Sequence, residues 1–209
     1  MLAAGDFGVW LSEIGRALRD EAASDVPCGD CTACCTASQF IHIAPDESET
    51  LTRIPRALLF PAPGLPKGHV LMGYDARGHC PMLQDGVCSI YDDRPRTCRA
   101  YDCRIFPASA LVPTDDDKAS ITQRTRRWRF TYAIDADRVR HAATRAAAGY
   151  LREHPDCFPD GAVPSNATQL AVLAVEIHDV FLHRNEATGE LGIELPTLER
   201  VGAAILRRR

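Results

Sequence analysis

Cysteine is distributed very unevenly along this chain of 209 residues, and this constrains the fold more than any other sequence feature. Eight of the nine cysteines lie between Cys28 and Cys103, and Cys157 is the exception. Average composition would supply only about one or two cysteines in such a segment. A cysteine can pack as a small apolar residue, but this density indicates cross-linking by disulfides or by metal–thiolate bonds.

The N-terminal sequence favours metal–thiolate bonds over disulfides. It shows neither the basic start nor the apolar run of a secretory signal peptide, and no segment approaches the ~20 apolar residues of a membrane span. We therefore expect a cytoplasmic protein without a membrane partner. Reducing cytosol keeps thiols free, so the clustered cysteines are interpreted as metal ligands, with structural disulfides as the alternative. The formal net charge of −4 does not indicate binding to nucleic acid.

The eight clustered cysteines form two groups of four with different spacing. The first group is Cys28, Cys31, Cys34 and Cys35, in the pattern C-x-x-C-x-x-C-C, and the second is Cys80, Cys88, Cys98 and Cys103. A C-x-x-C turn directs two thiolates at one metal, as in zinc sites, and a third cysteine at the same interval is typical of iron–sulfur clusters. The pattern predicts two tetrathiolate centres, or one cluster and one mononuclear ion.

The vicinal pair Cys34–Cys35 predicts that the two groups exchange ligands. Adjacent side chains diverge, so this pair cannot easily face one tetrahedral ion, and the second group contains no C-x-x-C. Exchange between the groups resolves both difficulties. We therefore expect all eight thiolates to meet in one compact locus, with Cys28, Cys31 and Cys34 near members of the second group. Each sulfur should lie within about 4 Å of another.

Other side chains are secondary candidates for the same site. A histidine could replace a cysteine as ligand, and His79 is favoured over His42 and His69 because it adjoins Cys80. Arginines that donate hydrogen bonds to thiolate sulfur are expected near the second group, with ordinary surface charge as the alternative. These arginines are Arg94, Arg96, Arg99 and Arg104. The basic run around Trp128 is interpreted as a solvated face and comprises Arg124, Arg126, Arg127 and Arg129. Cys157 is interpreted as lying outside the metal site.

The overall pattern predicts an α+β fold in which a small, irregular, cysteine-rich half packs against a helical half. An amphipathic helix is expected within residues 1–27, from about Gly5 to Ala23. A metal-binding domain over residues 28–110 follows, and then a mainly helical part over residues 111–209. Familiar catalytic and phosphate-binding motifs are absent from the sequence, so catalytic residues are unknown and the question of an enzyme stays open.

Local signals place several elements within these segments. Helices are expected over residues 135–154, from a cap at Ser165 to about Arg184, and from Thr197 onwards. The segment RTRRWRFTYAI is compatible with a strand or with the end of a helix. The tripeptide QDG predicts a hairpin turn, and an aspartate cap with Pro95 near the first turn predicts a short helix.

The cysteine-rich half also resembles a known family. CGDCTACC, followed by CPML, GVCSIY, DRPxxCR and a final cysteine, resembles the bacterial YkgJ-type cysteine-cluster family, whose domain is described as zinc- or iron-chelating. The resemblance covers about Cys28 to Phe106. The same cysteine pattern is found in flagellin lysine methylases, where it is associated with an iron–sulfur cluster. A methylase activity is not inferred, because no motif for binding S-adenosylmethionine is recognisable.

We therefore expect a metal-binding protein with an iron–sulfur cluster (4Fe–4S) or with zinc or iron ions. Its expected role is in metal handling, in redox chemistry or as an accessory to an enzyme. One alternative is a zinc-stabilised interaction module that binds a protein partner through the helical half. Another is a metal-dependent enzyme that modifies protein side chains.

Overall fold

The structure, a computed structural model, has the α+β class expected from the sequence. It describes residues 1–19, 21–24, 26, 28–113, 118–159 and 161–208. The helices are α1 Phe7–Leu18, α2 Ser48–Arg53, α3 Arg96–Ala100, α4 Ile105–Ser109, α5 Ala119–Thr125, α6 Asp135–Glu153, α7 Ala167–Ile177 and α8 Leu198–Leu206. The strands are β1 Leu2–Asp6, β2 Ile41–Ile43, β3 Leu59–Pro61, β4 Val70–Met72, β5 Leu83–Gln84, β6 Val87–Cys88, β7 Trp128–Thr131, β8 Leu182–Arg184 and β9 Leu191–Ile193. Within the described ranges, no helix is long and apolar enough to cross a bilayer.

The chain divides into two compact units, and each is built from separate stretches of sequence. The helical unit comprises Met1–Gly15, Cys103–Thr114 and Thr125–Arg209. The cysteine unit comprises Arg16–Asp102 and Asp115–Arg124. Seven of the eight clustered cysteines therefore belong to the cysteine unit, and Cys103 belongs to the helical unit.

The helical unit begins with a strand that the sequence did not predict. β1 pairs in parallel with β7, in a register that joins Leu2 to Trp128. Within the ambiguous basic segment, Trp128–Thr131 is therefore a strand, whereas its first two residues, Arg124 and Thr125, end α5. The strand β1 also delays the start of the first helix to Phe7. Asp6 ends the strand and caps the helix, because its carboxylate accepts the Val9 N–H at 3.1 Å. The predicted helix start near Gly5 and the predicted end near Ala23 were both wrong, because α1 spans Phe7–Leu18.

Aromatic side chains of α1 and β7 fill the core of the helical unit together with a buried histidine. The Phe7 ring lies 5.4 Å from that of Trp10 and 5.2 Å from that of Phe130, and it stacks on His141 at 4.3 Å between centroids. The predicted alanine-rich helix is α6, which packs against α7. In α7 the cap is Asn166 rather than the neighbouring Ser165, because the Asn166 side chain accepts two backbone N–H groups.

Two predicted helix ends of the helical unit have different outcomes. The helix expected from Thr197 onwards is α8, and Thr197 caps it, since its hydroxyl accepts the Arg200 N–H at 3.3 Å. α7 was predicted to continue to about Arg184 but ends at Ile177. A 3₁₀ turn and then β8 follow, and β8 pairs antiparallel with β9. The apolar pattern after Ile177 therefore belongs to a turn and a strand.

The cysteine unit has a small core of short strands and loops. Its main sheet is antiparallel, with β4 between β2 and β3, and a separate hairpin joins β5 to β6. The buried core consists of Ile43, Ile54, Met72, Met82 and Ile90. The partly buried Cys80 and Cys88 pack against this core. This apolar core therefore positions two of the predicted ligands, Cys80 and Cys88.

Candidate metal centre

The first cysteine group lies on a tight turn followed by a single turn of 3₁₀ helix. The Cys31 N–H donates to the Cys28 carbonyl at 3.0 Å. Gly29 has φ +56° within this turn, a conformation that glycine adopts without steric cost. The 3₁₀ helix spans Ala33–Thr36 and therefore carries the vicinal pair Cys34–Cys35. All four cysteines of the group are half-buried.

A hairpin positions the first two cysteines of the second group. β5 pairs with β6 so that Leu83 lies opposite Cys88, and the Leu83 N–H donates to the Cys80 carbonyl at 3.0 Å. The connecting residues Asp85 and Gly86 have φ values of +51° and +80°. Two successive positive φ angles are typical of the type I′ turn that joins short antiparallel strands. The turn predicted at QDG is confirmed.

Helix α3 carries Cys98, and a distant glutamate caps it. Pro95 precedes the helix as predicted, but neither nearby aspartate provides a cap. The Glu47 carboxylate instead accepts the Arg96 N–H at 2.5 Å, and the Thr97 hydroxyl donates to the His42 carbonyl at 2.8 Å. The predicted aspartate cap was wrong because a buried carboxylate from another part of the unit occupies that position.

Four thiols from the two groups are linked through their effects on the pKa of Cys35 and of Cys98. They belong to Cys35, Cys80, Cys88 and Cys98, which we call the thiol quartet. The Cys80 N–H donates to the Cys35 carbonyl at 2.7 Å, so the backbones of the two groups are in contact. Burial raises the pKa of Cys35 to about 12, with further contributions from Cys80 and Cys88. Burial likewise raises the pKa of Cys98 to about 12, and Cys80, Cys35 and Cys88 raise it further.

A second pair of thiols lies at the start of the first group. The pKa of Cys28 is raised first by burial and then by Cys31. The guanidinium groups of Arg124 and Arg94 oppose this rise. Cys31 and Cys28 also contribute to the raised pKa of Cys35, after Cys80 and Cys88. Cys28 and Cys31 therefore affect the pKa of Cys35 less than Cys80 and Cys88 do.

Burial raises the pKa of the thiols of Cys28, Cys35, Cys80 and Cys98, so metal binding at these residues has to displace protons. All nine cysteines are free, so no disulfide is present. Across the described residues, no group of three or more Cys, His, Asp or Glu side chains is arranged to hold a metal ion. Thiols become ligands only as thiolates. The convergence of all eight sulfurs to about 4 Å stays a prediction for the metal-bound protein.

Comparison with known families bears on the same segment. Residues 27–127, about half of the chain, match the CxxCxxCC family model, described as a "putative zinc- or iron-chelating domain". The chain carries a CxxCxxCC domain. The family resemblance noted from the cysteine spacing is therefore confirmed, and the domain is of a metal-chelating kind. No curated protein and no solved structure matches the chain.

Two cysteines lie in the helical unit. Cys103, the last cysteine of the CxxCxxCC domain, is buried, and its sulfur accepts the indole N–H of Trp128 at 3.3 Å. Its role as the eighth ligand stays a prediction. Cys157 is exposed in a 3₁₀ turn after α6, outside the CxxCxxCC match.

The three candidate histidines of the CxxCxxCC domain have different surroundings. His42 Nε2 and His69 Nδ1 lie 2.9 Å apart in a hydrogen bond, and the two rings stack with an interplanar angle of 10°. His79 is held through its backbone, since its N–H donates to the Asp75 carboxylate at 2.9 Å. His79 as a ligand stays a prediction.

The candidate arginines are spread over several partners. Arg94 lies over the Tyr91 ring at 4.0 Å and contributes to the electrostatics of Cys28 and Cys98. Arg96 pairs with Asp46 at 2.7 Å. The remaining two form contacts with Glu47 (Arg99, 3.9 Å) and with the Ala4 carbonyl (Arg104, 3.1 Å).

Sequence reasoning missed the contribution of α5 to the first cysteine group. Arg124 was assigned to a solvated basic face, but it is half-buried and donates to the Cys28 carbonyl at 3.0 Å. Ser120, one helical turn earlier, donates to the Ala33 carbonyl at 3.1 Å. The signal that could have revealed this is the extent of the CxxCxxCC match, which continues past Cys103 and includes α5.

Proposed function

We propose that this protein chelates metal through the thiol quartet. The observation that carries the proposal is the backbone hydrogen bond from Cys80 to Cys35, which joins the two cysteine groups. Thiols of the quartet also help to raise the pKa of Cys35 and of Cys98, which supports a shared site. Four cysteine thiolates suffice for a closed tetrahedral zinc or iron site or for one iron–sulfur cluster. Three of these ligands come from the second group and one from the first.

This assignment separates the vicinal cysteines. Cys35 belongs to the quartet, whereas Cys34 is left with Cys28 and Cys31 for a second centre. The division agrees with the divergence of adjacent side chains. For the second centre we favour a 4Fe–4S cluster, because Cys28, Cys31 and Cys34 form the C-x-x-C-x-x-C run that is typical of such clusters. Zinc or iron ions are the alternative for both centres. The proposed setting is the cytoplasm, where free thiols persist, and the proposed role is metal handling, redox chemistry or service to an enzyme.

Elemental analysis of protein purified without oxygen tests the proposal. Iron together with acid-labile sulfide would support the cluster, and zinc alone would support the mononuclear alternative. Cys98→Ser should lose metal from the quartet, while the matched control Cys157→Ser should keep the metal content of the unaltered chain. A chain that binds neither iron nor zinc would contradict metal chelation.

Double variants test which thiols share a centre. Residues of one centre act as a unit, so their effects on metal content do not add. Cys35→Ser combined with Cys98→Ser should release no more metal than either single variant. Cys34→Ser combined with Cys98→Ser should release more than either alone. The reverse result would assign the vicinal cysteines the other way round.

An exposed aromatic cluster favours a second candidate, a zinc-stabilised interaction module that binds its partner through the cysteine unit instead of the helical half expected from the sequence. Phe40, Phe60 and Tyr74 are all exposed in the cysteine unit. Phe40 lies 6.1 Å from Phe60 and 5.0 Å from Tyr74 between ring centroids. Exposed neighbouring aromatics are enriched at protein interfaces. Phe40→Ser should leave metal content unchanged in either case, and it should abolish capture of a partner only if this second function is correct.

A further inference from the structure

Three side chains from residues 118–124 donate to the backbone of the first cysteine group. This segment follows the group far along the chain, yet its donors reach carbonyl oxygens at the beginning, middle and end of residues 28–37. The hydrogen bonds join Lys118 Nζ to the Ala37 oxygen at 2.7 Å, Ser120 Oγ to the Ala33 oxygen at 3.1 Å, and Arg124 Nη2 to the Cys28 oxygen at 3.0 Å.

The arrangement follows from the helical spacing of α5 and from the irregular backbone of residues 28–37. Ser120 and Arg124 are four residues apart and therefore lie on one face of the helix. A segment of turns and 3₁₀ helix leaves carbonyl groups that a regular helix or sheet would have satisfied. Ser120 and Arg124 of α5, and Lys118 just before it, donate to three carbonyl groups of this segment. One of the three, the Cys28 carbonyl, also accepts the Cys31 N–H. The directions of the thiols depend on this backbone, so residues 118–124 shape the first cysteine group.

Arg124 differs from the other two donors because its hydrogen bond is to a cysteine of the group. The bond to the Cys28 carbonyl holds the guanidinium charge beside the turn that carries Cys28 and Cys31. When several thiolates surround one divalent ion, the site carries excess negative charge, which a nearby cation stabilises. A planar guanidinium can donate to a carbonyl and remain beside sulfur at the same time.

We propose that Arg124 is a positioning residue for a metal site at Cys28 and Cys31. Its hydrogen bond holds the turn that presents the two thiols, and its charge stabilises their metal-bound form. Lys118 and Ser120 hold the rest of the segment. The inference rests on the proposed function, because it presupposes that the CxxCxxCC domain of this chain binds metal.

The test compares the zinc affinity of four forms of the full chain at low and high salt, by competition with a chromophoric chelator. The forms are the unaltered chain, Arg124→Gln, Arg124→Lys and Arg126→Gln. Loss of a residue that supports metal ligands typically lowers affinity by about 10–100-fold, which is the loss expected for Arg124→Gln. Arg126 is exposed and two residues further along, so Arg126→Gln should match the unaltered chain. Arg124→Lys keeps the charge but not the planar fork, and should fall between the two.

Salt dependence separates the electrostatic role from a purely structural one. Raising the salt concentration screens the charge of Arg124, so the affinity of the unaltered chain should fall more steeply with salt than that of Arg124→Gln. Ser120→Ala should lower the melting temperature of the metal-free chain and leave this salt dependence unchanged. A merely structural Arg124 would give the same salt dependence in all forms.

The outcomes distinguish this inference from the function on which it rests. Failure of the unaltered chain to bind zinc or iron overturns both. Zinc binding by the unaltered chain, with equal affinity and salt dependence in Arg124→Gln and Arg126→Gln, overturns only the role of Arg124. Should Arg124→Gln fail to fold, Arg124→Lys decides: an affinity equal to that of Arg126→Gln overturns the role, and a weaker affinity supports it.

Discussion

Replacing Glu47 with alanine should loosen the part of the cysteine unit that carries Cys98. The Glu47 side chain is 4% exposed, and the Arg99 guanidinium lies 3.9 Å from it. Its carboxylate accepts the N–H of Ala44 at 2.9 Å and that of Arg96 at 2.5 Å. One buried carboxylate therefore joins the residue after β2 to the first residue of α3.

The two hydrogen bonds set the size of the effect. A hydrogen bond to a charged group contributes about 1.5–3 kcal/mol, and removal of the acceptor leaves a buried donor without a partner. Loss of both bonds in Glu47→Ala should therefore lower the free energy of unfolding by about 3–5 kcal/mol. Asp46→Asn is a matched control. Asp46 is adjacent and also binds Arg96, but its side chain is 64% exposed, and an ion pair in contact with solvent adds little stability.

Urea unfolding of the metal-free full chain measures the difference, with amide hydrogen exchange to locate it. Glu47→Ala should shift the unfolding midpoint clearly below that of Asp46→Asn. The amides of Ala44 and Arg96 should lose their protection from exchange in Glu47→Ala alone. Equal midpoints for the two variants, with unchanged protection at these amides, would refute the role assigned to the buried carboxylate.

Three further predictions concern the helical unit and metal removal. Burial lowers the pKa of His141 in the folded chain to about 4, whereas a histidine in the unfolded chain has a pKa of about 6.5. As the pH falls below about 6.5, the unfolded chain therefore takes up the proton before the folded chain does. The free energy of unfolding should fall by up to about 3 kcal/mol between pH 7 and pH 4, and by less in His141→Gln. A Cβ at Gly8 would lie 2.5 Å from the Asp137 carboxylate, so Gly8→Ala should destabilise the folded chain by about 1–3 kcal/mol. Gly149 has open space around it, so Gly149→Ala should stabilise the folded chain by about 0.5–1 kcal/mol. Thermal unfolding measures the direction of both changes. Chelation should open residues 28–103 to protease before the rest of the chain, and an unchanged digestion pattern after confirmed metal removal would contradict this.

Local features of the fold could be predicted from sequence because their causes lie within a few residues. The hairpin turn at Asp85 and Gly86, the helix that follows Thr197 and the alanine-rich α6 are of this kind. Neighbouring candidates for the same local role were harder to separate. Asn166 rather than Ser165 caps α7, and both residue types are good caps.

Features that depend on distant segments could not be predicted in the same way. β1 pairs with β7 across most of the chain, and nothing in the five residues of β1 specifies that partner. The cap of α3 comes from Glu47, which sequence spacing cannot reveal. At the candidate site, the types of ligand could be predicted from cysteine spacing. The grouping of Cys35 with Cys80 required the backbone contact that joins the two segments.

The separation of α5 from the cysteines it supports has a consequence for synthesis of the chain. A ribosome adds about 5–20 residues per second, and domains begin to fold as they emerge. All eight clustered cysteines leave the ribosome before Lys118, Ser120 and Arg124. The first cysteine group therefore emerges before the side chains that hold its backbone have been synthesised. The newly made segment passes through an interval in which it is open to oxidation or to the wrong metal. A fragment that stops at residue 110, where the sequence alone would end the domain, would permanently lack the donors of residues 118–124 to the backbone of the first cysteine group.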